Sequence, residues 1–268
     1  MFADGLLAGK RILVTGGGTG LGAAMAERFG QLGAEPIICG RREDVLRETA
    51  ARIGAVPIVC DIRDPAQVDA MFDAVGPIDA LVNNAGAIFV AQSEHLSHRA
   101  FDAVLATSLH GSIYCTLAAG KRWIAEGRPG TVLSILSTST ITGRAFTVPT
   151  VVSKTGILAL TRSLAVEWAS KRIRLVAIAP GQIPTAGFLE KVAAGREDAN
   201  APASENTLER VGRPDELADL ASYLLSPQAD YITGEMVSLD GGRHLRNSGV
   251  EDLLRRSEDE WQALRAKR

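Results

Sequence analysis

Short runs of apolar, β-branched residues alternate along the chain with longer stretches in which apolar residues return every third or fourth position. Arg11–Thr15, Pro36–Cys39, Val56–Cys60, Ala80–Val82, Thr131–Leu136 and Ile173–Ala179 read as strands, and Met236–Leu239 has the same character. Between them, Leu21–Leu32, Glu43–Ile53, Pro65–Val75 and Pro149–Ser170 read as helices, the second and third opening on acidic residues or proline. This βαβα succession predicts an α/β fold, a doubly wound parallel sheet with helices on both faces and a ligand crevice at the carboxyl ends of the strands.

No internal repeat, low-complexity tract or Pro/Ser-rich linker divides the chain, so residues 1–268 are expected to form a single domain. Two regions break the alternation. Gly181–Pro214, rich in Gly, Ala, Asn and Pro, reads as a substrate lid over the crevice. The charged tail Arg243–Arg268 carries Leu253, Leu254, Trp261 and Leu264 at roughly helical spacing, which predicts a helix docked on the body or on a neighbouring subunit.

Composition narrows the function classes. With 46% hydrophobic and 22% charged residues the chain is too apolar to be disordered, and Lys plus Arg (29) against Asp plus Glu (31) creates no cationic field for nucleic acid. Apolar runs such as Ala55–Cys60 and Leu175–Pro180 are far shorter than the roughly 20 residues of a membrane span. Met1–Lys10 has none of the features of a secretory leader. A cytoplasmic protein with no nucleic-acid or membrane partner is expected. Cys39, Cys60 and Cys115, odd in number and set in apolar segments, read as buried free thiols. His95, His98 and His244 read as surface residues without metal-like spacing, so no metal is expected.

Strand Arg11–Thr15 runs into Thr15-Gly16-Gly17-Gly18-Thr19-Gly20-Leu21-Gly22 and then a helix. That is where a dinucleotide pyrophosphate meets free N–H groups and a positive helix end. The spacing of Gly16, Gly20 and Gly22 is GxxxGxG, not the general GxGxxG fingerprint, and a plain glycine-rich turn is the alternative. After the second strand comes Cys39-Gly40-Arg41-Arg42, with no acidic residue to bind ribose hydroxyls. Two guanidiniums there suit a 2′-phosphate and point to NADP(H); the alternative is a solvated helix-start cluster paired with Glu43 and Asp44. Asp61 and Ile62 follow the third strand and fall beside the adenine, although an Asp there also serves as a turn or cap residue.

With Thr15–Gly22, Asn83-Asn84-Ala85-Gly86, Ser153-Lys154 and Pro180-Gly181-Gln182-Ile183-Pro184-Thr185 all in order, the chain resembles the short-chain dehydrogenase/reductase family from end to end. The resemblance implies a Rossmann-like sheet of about seven strands and a homotetramer. It implies that Gly16, Thr19, Gly20, Leu21 and Gly22 hold the pyrophosphate side. Asn83, Ala85 and Gly86 line the adenosine side, Lys154 binds the nicotinamide ribose, and Pro180, Gly181, Ile183 and Thr185 lie near the carboxamide. Leu160–Trp168, Ile178–Gly187 and the tail around Ser248-Gly249 and Trp261 are similar to the 2,4-dienoyl-CoA reductase branch. That branch implies a small-molecule acyl-CoA substrate and NADPH.

The chain departs from both patterns at the proton donor. Thr150 stands where most of the family has a catalytic Tyr, four residues before Lys154. Ser139 stands where the branch has its Tyr, fifteen before. The branch's substrate-binding Asn falls at His110 and the wider family's at Ser108, while Ser137 matches the family's serine. Ser139 and Thr150 suit hydrogen-bond donation to a developing enolate better than proton supply. Imidazole can do both, so His110 is a candidate to polarise the substrate oxygen and protonate the product, against a helix-packed His with no chemical role. Tyr114, one turn on, is more often core than donor. Ser137 and Ser139 could instead satisfy backbone groups, Phe89 and Phe188 are either acyl-pocket walls or core, and Lys191 and Arg196 either meet CoA phosphates or form a solvated face. Three functions remain open: reduction of a conjugated acyl-CoA, oxidoreduction of a ketone or alcohol without CoA, and NADP(H) binding without redox chemistry.

Overall fold

The computed structural model describes residues 2, 4–185, 206–246 and 256–266. Seven strands form one sheet: β1 Arg11–Thr15, β2 Glu35–Gly40, β3 Val56–Val59, β4 Ala80–Asn83, β5 Gly130–Ile135, β6 Ile173–Pro180 and β7 Met236–Leu239. Their order is β3-β2-β1-β4-β5-β6-β7 and every neighbouring pair is parallel. The chain winds outward one way from β1 and the other way from β4, so the switch point lies between these two strands, where a doubly wound sheet binds its ligand.

Helices cover both faces: α1 Gly20–Gln31, α2 Glu43–Ile53, α3 Pro65–Val75, α4 His98–Leu105, α5 Gly111–Ala125, the single turn α6 Ser139–Thr142, α7 Val148–Glu167, α8 Pro214–Leu225 and α9 Glu258–Arg265. Successive residues of β1 feed opposite layers, as strand geometry requires. Ile12 and Val14 join Met25 and Phe29 of α1 and Leu217 and Leu224 of α8, whereas Leu13 joins Phe72 of α3, Cys115 and Trp123 of α5 and Leu164 of α7. Full burial of each such large side chain contributes about 1.5–3 kcal/mol. Local signals agree with the packing: Asp64 caps α3 by accepting from the Ala66 N–H at 2.9 Å, with Pro65 as the first helical residue.

The hydrophobic pattern alone assigned neither the α4–α5 stretch nor α8. α4 and α5 form one continuous rod interrupted by a π-turn at Ala106–His110. A π-turn inserts one residue into the helical phase and recurs at functional sites. Gly111, directly after it, packs so closely on Ile62 that a Cβ would sit 2.6 Å from that side chain and force it to shift. In the region expected to be a lid, Pro214 opens α8 instead of ending a loop; Phe188, Lys191 and Arg196 lie outside the described residues. So do Ser248, Gly249, Leu253 and Leu254 in the tail, where Trp261 and Leu264 are the partly buried positions of α9. Cys39, Cys60 and Cys115 are buried free thiols, as their apolar settings suggested, and burial raises all three pKa values.

Candidate active site

Two cavities open at the carboxyl ends of the strands and share Asn84 and Gly86 in their walls. The larger, about 490 Å³, runs from Gly16, Gly18 and Thr19 past Arg41 and Arg42 to Asp61 and Ile62. The other, about 300 Å³, is lined by Leu21, Ile88, Leu136, Ser137, Ser139, Arg144, Thr147, Thr150, Lys154, Pro180, Gly181, Ile183 and Thr185.

The wall between them is held by hydrogen bonds across the switch point. The Thr15 hydroxyl donates to the Val82 carbonyl at 3.2 Å and accepts from the Asn84 and Ala85 N–H groups, each at 3.0 Å. Asn84 Nδ2 donates to the Thr15 and Gly16 carbonyls at 2.9 and 3.2 Å. Gly22 is packed beneath: a Cβ would lie 2.4 Å from the Gly16 oxygen and 2.5 Å from Asn84 Nδ2. The first turn of α1 has no side-chain cap, since Thr19 makes no capping bond, so its N–H groups remain open to a ligand.

At the far end, Arg41 and Arg42 are exposed, and Glu43, the neighbour that could have neutralised them, is held by Arg47 Nε at 2.9 Å. Asp61 lines the same cavity, gripped by Arg63 Nε at 2.9 and 3.0 Å, and that bond is the main reason its carboxyl pKa falls below the usual range. Open glycine backbone, an uncapped helix end and exposed guanidiniums, in that order along one cavity, fit a nicotinamide dinucleotide.

In the smaller cavity β5, the turn after it and α7 converge. Ser139 Oγ donates to Ser137 Oγ at 2.9 Å, which leaves the Ser137 hydroxyl proton free to reach a ligand. Thr150 Oγ1 donates to the Ala87 carbonyl at 3.3 Å. One turn further along α7, Lys154 Nζ donates to the Ile135 carbonyl at 2.6 Å, and burial pulls its pKa down to about 8. The cavity therefore offers an oxygen the Ser137 hydroxyl and the Lys154 ammonium, between the apolar walls of Ile88 and Leu136.

Three expected residues fall elsewhere. His110 is exposed and lines neither cavity, its ring 6.3 Å from that of Tyr114, which packs against the core. The π-turn is the reason: it carries Ser108 inward to full burial, where its Oγ accepts from the Ala87 N–H at 3.0 Å, and leaves His110 on the outer face. The Asn83 side chain is 2% exposed and donates to Thr116 at 2.8 Å, tying β4 to α5; its neighbour Asn84 faces the cavities. His244, read as a surface residue, is partly buried with Nδ1 2.8 Å from the Asp240 carboxylate. Phe89, by contrast, is substantially exposed and belongs to no core cluster. Arg144 and Thr147 join the cavity wall unannounced, because the irregular segment before α7 has no periodicity to place them.

A family model described as enoyl-(acyl carrier protein) reductase matches residues 16–244. The chain is similar to a Bacillus subtilis protein named "probable 2,4-dienoyl-CoA reductase", 37% identical over 88% of this chain and 97% of the relative. Among solved structures it is similar to a short-chain dehydrogenase from Bacillus anthracis, 34% identical over 90% of this chain and 98% of that one, with TM-score 0.82. An Agrobacterium tumefaciens structure with NADP bound is 34% identical over 91% and 100% of the two chains, with TM-score 0.83. With its sheet order, glycine loop and Ser137–Lys154 cavity in place, the chain belongs to the short-chain dehydrogenase/reductase family of oxidoreductases.

Proposed function

We propose that the protein is an NADP(H)-dependent reductase that acts on a conjugated enoyl- or dienoyl-CoA. The observation that carries this reading is the join at Asn84 and Gly86 between a cavity tipped by Arg41 and Arg42 and a cavity built on Lys154 and three hydroxyls. Bound across the join, the reduced dinucleotide supplies the hydride. The backbone of Gly16, Gly20 and Gly22 and the first turn of α1 hold its pyrophosphate, Arg41 and Arg42 its 2′-phosphate, and Asp61, Ile62 and Ala85 its adenosine. Lys154 holds the nicotinamide ribose, and Pro180, Gly181, Ile183 and Thr185 orient the ring. Ser137 donates to the thioester oxygen as negative charge builds there, an interaction stronger in the transition state than in the bound substrate, while Ser139 and Thr150, whose protons go to Ser137 and to the Ala87 carbonyl, hold the donor and the cavity wall in place. Ile88 and Leu136 shield the reacting carbons from water. The similarity to the Bacillus subtilis relative supports the acyl-CoA choice.

The test is NADPH oxidation by the purified protein with a 2,4-dienoyl-CoA, beside NADH, a panel of CoA-free ketones and a no-acceptor control. Turnover selective for NADPH and the dienoyl-CoA is the expected result. Turnover of a ketone alone replaces the substrate class, and tight NADPH binding without any turnover replaces the reductase reading with a non-redox one. The tetramer implied by the family resemblance is measured in the same preparation by light scattering.

A further inference from the structure

Each hydride added to a carbonyl or conjugated system must be matched by a proton. Among the described residues lining the Ser137–Lys154 cavity there is no carboxylate, imidazole, phenol or thiol; its charged side chains are Lys154 and Arg144. A serine or threonine hydroxyl passes a proton on only if another acid refills it. A guanidinium holds its proton at every working pH. The inward shift of Ser108 by the π-turn, which leaves His110 outside, removes the imidazole from consideration.

Lys154 is placed to act. One N–H of Nζ is spent on the Ile135 carbonyl at 2.6 Å, which leaves two. Residue 86 is glycine, and a Cβ there would lie 3.4 Å from Nζ, so the missing side chain keeps the approach to the amine clear. Thr150 stands one helical turn before it on the same face of α7, with its hydroxyl committed to the Ala87 carbonyl. Nζ meets the Ile135 carbonyl of β5 and faces Gly86 in the loop after β4, with the Ser108 hydroxyl of the π-turn on the other side of that gap, all neutral.

We propose that Lys154 is itself the proton donor of this protein, delivering a proton from Nζ to the anion that hydride addition leaves on the substrate. This rests on the reductase reading above. When hydride adds, the π-electron pair of the acceptor moves onto the carbonyl oxygen as an enolate or alkoxide. An Nζ–H bond then breaks, its electron pair stays on nitrogen, and the proton forms the new C–H or O–H bond of the product. The neutral amine takes a proton from solvent before the next turnover. Burial supports the assignment, since it brings the ammonium down to about 8, where a general acid works efficiently near neutral pH. The family resemblance gives the lysine a supporting part beside a tyrosine; here binding and proton transfer fall on one nitrogen.

Two measurements test this, the first without turnover. In protein labelled with [ε-13C]lysine, the Lys154 signal, identified by its loss in Lys154→Arg, is followed against pH with and without bound NADP+. A midpoint near 8 is expected; a Lys154 that stays protonated past pH 10 in both states overturns the proposal whatever the substrate proves to be. The second compares the wild type and Lys154→Arg with NADPH and the dienoyl-CoA, or with whichever ketone of the panel is reduced. Wild-type kcat should fall above pH 8. Lys154→Arg should keep dinucleotide binding and lose about 100-fold or more in kcat, together with the break in the pH profile. Retention of most activity by the arginine variant, with the same pH profile, shows that the cation only positions ligands and refutes the proton role. If no acceptor is turned over, the reductase reading fails while the titration still decides whether Lys154 can yield a proton.

Discussion

Removal of the two guanidiniums at the far end of the dinucleotide cavity should change which dinucleotide binds, not whether one binds. Arg41 and Arg42 are exposed, and Glu43 is engaged by Arg47, so in the free protein neither loses a strong ion pair on mutation to that neighbour. A hydrogen bond to a charged group contributes about 1.5–3 kcal/mol. Solvent exposure puts each arginine at the low end of that range. The single variants Arg41→Ala and Arg42→Ala should then weaken NADPH about tenfold each, and the double variant about 100-fold. NADH lacks the 2′-phosphate and should keep its affinity within about threefold, since exposed charges acting at a distance contribute little. Titration calorimetry with both dinucleotides at one ionic strength makes the comparison, because salt screens the term. Equal weakening of NADH and NADPH, or an unchanged NADPH affinity, would refute the assignment of these arginines to a 2′-phosphate.

Gly22→Ala should weaken either dinucleotide by about 10- to 100-fold and lower Tm, because the new methyl meets the Gly16 carbonyl at 2.4 Å and such overpacking costs about 1–3 kcal/mol; calorimetry and thermal melts read both effects. His110→Ala should leave kcat within about twofold, as expected of an exposed residue away from a site. A larger loss in steady-state assay would return the imidazole to the mechanism. The buried Lys154 also predicts a pH dependence of stability. Its pKa is about 8 in the folded protein and 10.5 when exposed, so between these values the unfolded chain binds the extra proton and the folded state gains stability as pH rises, by at most about 3 kcal/mol. In urea unfolding of the dinucleotide-free protein, the stability difference between Lys154→Met and the wild type should shift by that amount between pH 7 and 10.5.

The fold was legible in the order of its elements because each strand is a short apolar run and amphipathic helices follow β1, β2, β3 and β5; the helices after β4 and β6 carried no such signal. The β1 and β7 spans coincide with their hydrophobic runs, and the others differ by only a residue or two at their ends. Gly16, Arg41, Arg42, Ser137, Thr150 and Lys154 were legible for a related reason: each lies at a fixed offset from the end of a strand or along one helix, so local geometry carries it to a cavity wall. Asn83 and Asn84 share one motif, but which of the two faces the cavities depends on where β4 ends.

The sequence by itself determined the doubly wound sheet, the glycine loop on α1 and the absence of a tyrosine at either familiar spacing from Lys154. Only the tertiary structure decided which residues line the cavity around that gap. A π-turn carries Ser108 inward and leaves His110 on the outer face, beside Gly111 packed against the distant Ile62, and no count along the chain predicts it. Lys154 acquires its lowered pKa in the same way, from burial contributed by β5 and the loop after β4.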